Sequence, residues 1–197
     1  MIKMTNKLTE LMNELKRTNP DTFYHCLRVK RLTYEMLRKT NHDGITTYSE
    51  KEIGIICKGA LLHDIGKLYV ENSVLTKASA LEDDEMANMR QHTLLGCRAI
   101  EGELCNDERE IVLGICRWHH ERRDGSGYES KRDIPLYIEI VALCDVFDAL
   151  HSDRVYRKGL SEKKSLEMIK ELHFGDESLV ECLGYVVEEQ RGNYAIH

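Results

Sequence analysis

Apolar residues recur along this chain at intervals of three and four. Leu8, Leu11, Met12 and Leu15 follow the i, i+3, i+4, i+7 spacing that gathers side chains on one face of a helix. Asn19-Pro20 should stop that helix, because proline lacks an N–H and its ring clashes with the preceding turn. A second amphipathic stretch runs from about Asp21 to about Lys39, with Leu27, Val29, Leu32, Tyr34 and Met36 on a broad apolar side and His25 in its first turn. Asn41-His42-Asp43-Gly44 closes it. Ser49-Glu50-Lys51-Glu52 is a capping box, opening a helix that carries Ile53, Ile56, Ala60 and Leu61 down to His63 and Asp64. Gly66 then lets the backbone turn and brings Lys67 back toward the same point.

Residues 70 to 80 read as a loop, followed by one helix from about Glu82 to Ile100 that contains His92. Asn106 and Asp107 cap a helix in which Ile111, Val112, Ile115 and Cys116 lead to Trp118-His119-His120. From Glu121 to Asp133 the chain is charged and glycine-rich, the composition of an exposed loop. Pro135 opens the next helix where its missing N–H costs nothing. That helix is apolar through Ile138, Ile140, Val141, Ala142 and Leu143, then presents Asp145 and Asp148, which at i, i+3 share a face. Two more helices follow, about 161 to 173 behind Ser161 and about 176 to 190 behind Asp176. With no period-two alternation and no internal repeat, the pattern describes an all-α bundle.

A chain of 197 residues suits one domain, residues 20–197, preceded by a helical extension, residues 1–19. The formal charge of −6 argues against a nucleic-acid polymer, which calls for a broad basic surface, and leaves room for a small anion held by a few local cations. Seven cysteines without a CxxC pair read as reduced thiols, most of them in the core of a cytosolic protein. No apolar run approaches a membrane span and no leader-like segment opens the chain. The expectation is therefore a soluble cytoplasmic protein with no membrane partner.

His63 and Asp64 taken alone are equally a core histidine and a helix cap. They gain meaning from His25, His92, His119, His120 and Asp145, each of which falls at a helix end or beside a turn. Seven nitrogen and oxygen donors exceed a closed tetrahedral zinc site, and no cysteine cluster accompanies them. They suit two octahedral ions that share a bridging carboxylate, with iron or manganese favoured by mixed imidazole and carboxylate ligation. The other histidines, His42, His151, His173 and His197, read as ordinary surface residues.

His63-Asp64-Ile65-Gly66-Lys67, His92, the run His119 to Tyr128 and the run Asp145 to Arg157 together resemble the motifs of the HD-GYP subgroup of HD-domain phosphohydrolases. The resemblance extends from about residue 25 to about residue 180, and its specificity lies in the joint order and spacing. It implies an HD-domain helical bundle with a dinuclear metal site, a phosphodiesterase that opens cyclic di-GMP to the linear dinucleotide or GMP. Carried over by motif, His25, His63, Asp64, His92, His119, His120 and Asp145 are metal ligands, with Asp64 bridging. Lys67 stands near the scissile phosphate, Arg154 and Arg157 hold substrate phosphates, and Asp148 supplies a polar contact near the metals. Diguanylate cyclase domains are the protein partners that the resemblance suggests.

Three features depart from that pattern. Glu129 replaces the proline of the Gly-Tyr-Pro tripeptide, which restores a backbone N–H and adds a negative charge. Asp21 stands where members with a third ion carry glutamate, so two ions are expected and a third is possible. The third is an expectation that no receiver or sensor domain, which the family often carries, is attached. Beside cyclic di-GMP hydrolysis, two other readings stay open: an HD phosphohydrolase acting on another nucleotide or small phosphoester, and a catalytically silent nucleotide-binding module.

Overall fold

The computed structural model describes residues 4–77, 79–153, 158–171 and 176–194. Among them there is no β-strand, and ten α-helices form the domain. Helix α1 (Asn6–Thr18) starts at Thr5, whose side chain accepts the Leu8 N–H, and buries Leu8, Leu11, Met12 and Leu15. Asn19 then serves two helices. Its N–H closes α1 on the Leu15 carbonyl, and its Oδ1 accepts the Thr22 N–H at 3.1 Å to open α2 (Pro20–His42). Asp21 is thus an exposed first-turn residue, favourable there to the helix dipole, and not the cap.

The capping box of α3 (Glu50–Leu62) forms as its sequence requires, with the Ser49 N–H on Glu52 and the Glu52 N–H on the Ser49 hydroxyl. A 3-10 turn, Ile65–Tyr69, follows His63 and Asp64. The stretch expected as loop contains a short helix, α4 (Asn72–Leu75). The single helix expected from 82 to 100 is two, α5 (Asp83–Arg90) and α6 (His92–Ile100), broken at Gln91. Side chains cause the break: His92 Nδ1–H donates to the Met89 carbonyl at 2.7 Å and the Thr93 hydroxyl to the Arg90 carbonyl at 3.1 Å. Those acceptors are used locally instead of extending the ladder. Helix α7 (Asn106–Trp118) is capped at Cys105, one residue before the expected position, with Glu108 reaching back to the Cys105 N–H. Helices α8 (Leu136–His151), α9 (Glu162–Glu171) and α10 (Glu177–Tyr194) complete the chain.

Helix α2 packs on α1, α3, α8 and α10, while α3 packs on α7, and α6 on both the 3-10 turn and α7. The apolar residues divide into two clusters. One joins Met36, Ile56, Ile115, Ile140 and Leu183, and the other joins the α1 face to Leu62, Ile65, Ile100 and Val112. Helix α8 is buried nearly all round from Ile138 to Asp148, as a central helix should be. No described helix is long and apolar enough to cross a membrane.

Candidate metal centre

The seven donors read from the sequence are brought together where α2, the end of α3, the start of α6, the end of α7 and the middle of α8 meet. Two groups can be separated. Donor atoms of His25, His63 and Asp145 lie within 4.8 Å of one another, and so do those of His92, His119 and His120. Asp64 stands between the groups, 1 % exposed. Its Oδ1 faces His92 Nε2 at 3.3 Å and His119 Nε2 at 3.9 Å, while its Oδ2 faces His63 Nε2 at 3.5 Å and His25 Nε2 at 3.8 Å.

The imidazoles are aimed by their outer nitrogens. Nδ1–H of His63 donates to the Ala60 carbonyl at 2.8 Å, that of His92 to Met89, and that of His119 to Ile115 at 3.0 Å. His25 Nδ1 meets Asp148 Oδ2 at 2.7 Å. A carbonyl or carboxylate can only accept, so Nδ1 of each of these rings carries a proton; in His63, His92 and His119 the Nε2 lone pair then turns inward, while His25 Nε2 faces Asp145 Oδ1 at 2.9 Å. Lone pairs converging on carboxylates repel one another unless a cation lies among them. Consistently, His63 Nε2, Asp64 Oδ1 and His120 Nε2 are buried with no hydrogen-bond partner. A nitrogen held this way by an outer carbonyl or carboxylate is the usual setting of a metal-binding histidine, and the donor set fits divalent cations.

Burial first, then neighbouring imidazoles, holds His119 well below the ordinary histidine range; burial likewise takes His92 down to about 4 and His120 to about 3. These rings are neutral at neutral pH, with lone pairs free to bind a cation. Burial also opposes charge on His63, but Asp64, Cys26 and Asp145 outweigh it and raise its pKa. Asp64 and Asp145 stay ionised against burial, the first through Lys67 and His63, the second through the neighbouring His25 and His63.

Lys67 Nζ donates to Asp64 Oδ2 at 2.6 Å, which keeps the ammonium charged despite its own burial. Asp148 has both oxygens engaged: Oδ2 holds His25 and Arg28, and Oδ1 accepts from Arg28 Nε at 2.7 Å and the Ser152 hydroxyl at 3.0 Å. Arg154 and Arg157 lie outside the described residues.

Several residues at the centre carried no signal in the sequence. Cys26 Sγ lies within 4.8 Å of the donor atoms of His63 and Asp64. Glu121, in the stretch expected to be exposed, is 1 % exposed. Its Oε1 accepts the Glu129 N–H at 2.8 Å and its Oε2 the Lys131 N–H at 2.7 Å. The two donors converge because Ser130 between them adopts φ 57°. At Gly127 any Cβ would lie 2.5 Å from the Glu121 Cα, so only glycine allows the loop this close. Arg123 ties the same loop to Glu139 of α8. The result is that Tyr128 stacks on His120, ring centroids 4.3 Å apart at 27°.

Glu129 therefore contributes what proline could not, a donor to a buried carboxylate, and its side chain pairs with Arg117 at 2.9 Å. Glu129→Pro is expected to lower stability by about 1–3 kcal/mol, seen as a lower denaturation midpoint at unchanged slope. A midpoint equal to that of the parent chain would remove the loop latch from the account.

Residues 22–150 match the HD domain family. The chain is 32% identical over 174 residues to the cyclic di-GMP phosphodiesterase PA4108 of Pseudomonas aeruginosa, covering 87% of this chain and 40% of that protein. It is 29% identical over 204 residues to 3'3'-cGAMP-specific phosphodiesterase 2 of Vibrio cholerae, covering 92% and 37%. It thus spans about two fifths of the length of each of these two relatives. The solved structure of Bd1817, an HDG"Y"P protein from Bdellovibrio bacteriovorus, shares the fold with a TM-score of 0.64 at 19% identity, over 83% of this chain and 51% of that one. Helical architecture, buried histidine and aspartate cluster and sequence likeness agree, and the chain belongs to the HD domain family, with the motifs of its HD-GYP subgroup.

Proposed function

We propose that this chain hydrolyses a cyclic dinucleotide, cyclic di-GMP, to the linear dinucleotide or GMP. The observation that carries the reading is the pair of donor groups with Asp64 between them, one oxygen toward each. His25, His63 and Asp145 would hold one divalent ion and His92, His119 and His120 the other, with Asp64 common to both. Iron or manganese suits the set. The ions would supply Lewis acidity toward a phosphoryl oxygen and lower the pKa of water.

The chain's own residues do the rest. Lys67, charged and beside Asp64, would hold an equatorial phosphoryl oxygen and offset the charge that builds on it. Asp148, its oxygens occupied by His25, Arg28 and Ser152, acts through His25 as a positioning residue and has no oxygen left for substrate. Arg154 and Arg157 would hold phosphate. Asp21 lines a cleft with Lys67 and marks where a third ion would be sought. The loop from 121 to 133 is the surface on which a diguanylate cyclase domain would act, and the cytoplasm is the compartment that fits a nucleotide second messenger.

Asp148→Ala should weaken metal affinity about 10–100-fold, because His25 loses the acceptor that fixes its ring. Titration with Mn2+ against a chelator indicator measures this, and unchanged affinity would leave Asp148 without that role.

The function is tested with protein prepared without chelator, loaded with Mn2+ or Fe2+, and offered cyclic di-GMP, 3'3'-cGAMP, cyclic di-AMP, GTP and an aryl phosphodiester. Cyclic di-GMP is expected to be opened fastest. Preference for 3'3'-cGAMP is the second reading, favoured by the likeness to the Vibrio cholerae protein of that name. Cleavage of GTP alone would point to an HD phosphohydrolase of other specificity, and metal binding without any turnover to a silent module.

A further inference from the structure

We propose that Arg90 is a substrate-binding residue that takes the second, non-reacting phosphate of a cyclic dinucleotide, presented from the ring of Tyr128; this rests on the phosphodiesterase reading above. Arg90 ends α5 at the break before His92. Its guanidinium carbon lies 5.2 Å from the Tyr128 ring centroid, and Tyr128 in turn stacks on His120 and meets His92 edge-on at 6.2 Å. The cation is therefore two contacts from the metal centre.

Its position is built. The hydrogen bonds that break the helix, His92 to the Met89 carbonyl and Thr93 to the Arg90 carbonyl, aim the His92 Nε2 inward and set the backbone of Arg90 in the same act. Tyr128 is fixed from the other side by Glu121, which gathers the N–H groups of Glu129 and Lys131. Next to Arg90, Met89 lines a cleft of about 380 Å3 together with Lys67, Asn72 and Thr76, a volume within the range of small-molecule sites.

Arg90 combines an exposed side chain that is in no ion pair among the described residues with contact to a ring that stacks on His120. Arg28, Arg38, Arg109, Arg117 and Arg123 each sit on a carboxylate. Arg90 is exposed and meets no carboxylate among the described residues, in a chain of net charge −6. A guanidinium lying on an aromatic ring keeps its N–H edge available for a two-pronged bond to phosphate. Packing of an arginine on a tyrosine would by itself give the same contact, and substrate size separates the two roles. A cyclic dinucleotide has a second phosphate for Arg90 to reach, and a bis-aryl phosphodiester has none.

The test compares the parent chain with Arg90→Ala and Arg90→Lys, all loaded with Mn2+. It reads metal content, kinetics on cyclic di-GMP and on bis(4-nitrophenyl) phosphate, and binding of the bis-phosphorothioate analogue of cyclic di-GMP. Arg90→Ala should raise KM for cyclic di-GMP and weaken analogue binding by about tenfold or more, a loss larger by that factor than any on the aryl diester, at equal metal content. Arg90→Lys should recover only part of it, because an ammonium lacks the fork. A change below twofold in analogue binding, or equal losses on both substrates, would overturn the proposal, as would a parent chain that does not bind the analogue. A loaded parent chain that turns over neither substrate but binds the analogue contradicts the phosphodiesterase reading alone, since binding still decides the role of Arg90.

Discussion

Replacing His63 and Asp64 together with alanine is expected to reduce phosphodiester turnover by more than about a thousandfold. The pair contributes to both donor groups. His63 turns its Nε2 inward from the end of α3, and Asp64 directs one oxygen at His92 and His119 and the other at His63 and His25. Without Asp64, His92 and His119 keep their Nδ1 hydrogen bonds to carbonyls and His25 keeps its bond to Asp148, so the helices have no reason to separate. What is lost is the anionic link between the groups and the counter-charge of Lys67. Circular dichroism should therefore show helical content near that of the parent chain while rates on both cyclic di-GMP and an aryl diester collapse. Retained turnover on either substrate in a folded double variant contradicts the mechanism.

The second large effect is expected from Gly66→Ala, which removes no donor at all. A Cβ at Gly66 would lie 1.9 Å from the His92 carbonyl oxygen and 2.5 Å from the Gly96 backbone nitrogen. Both obstacles are main chain of α6, so no rotamer change relieves them, and the 3-10 turn must move away from the helix. That turn carries Ile65, fully buried beside Leu62 and Ile100, and connects Asp64 to Lys67. The cost should reach about 3 kcal/mol or more, the upper part of the range for overpacking. His92 and Lys67 should be displaced relative to Asp64, with loss of metal affinity as well. Denaturant unfolding with Mn2+ titration measures both. A variant as stable as the parent chain, with unaltered affinity, would show that the contact between the turn and α6 does not set the site.

The sequence makes His63, Asp64, His119, His120 and Asp145 visible because each follows a helical run whose period can be read, as with the box of Ser49 and Glu52 that opens the helix ahead of His63 and Asp64. The all-α architecture follows from the same periodicity. The break at Gln91 was hidden, because it depends on where His92 and Thr93 send their side-chain donors and not on any helix-breaking residue. Glu121 was hidden for the opposite reason. In a run of charges it has the composition of solvent-facing chain, and only the folded loop shows two backbone donors meeting on its carboxylate. The resemblance puts Asp148 near the metals, and its i, i+3 spacing puts it on the face of Asp145, but neither names its partners. Its engagement with His25, Arg28 and Ser152 joins residues more than a hundred positions apart and its own helix end, which no local pattern records. Likewise, the replacement of proline by Glu129 looks like a loss until the use of its N–H is seen.

The count of bound ions tests the central claim most directly. The chain, purified without chelator, equilibrated with excess Mn2+ and freed of unbound metal, should carry two ions per molecule by elemental analysis, and the His63→Ala, Asp64→Ala variant fewer than one. A folded parent chain that retains no ion under these conditions would contradict the account.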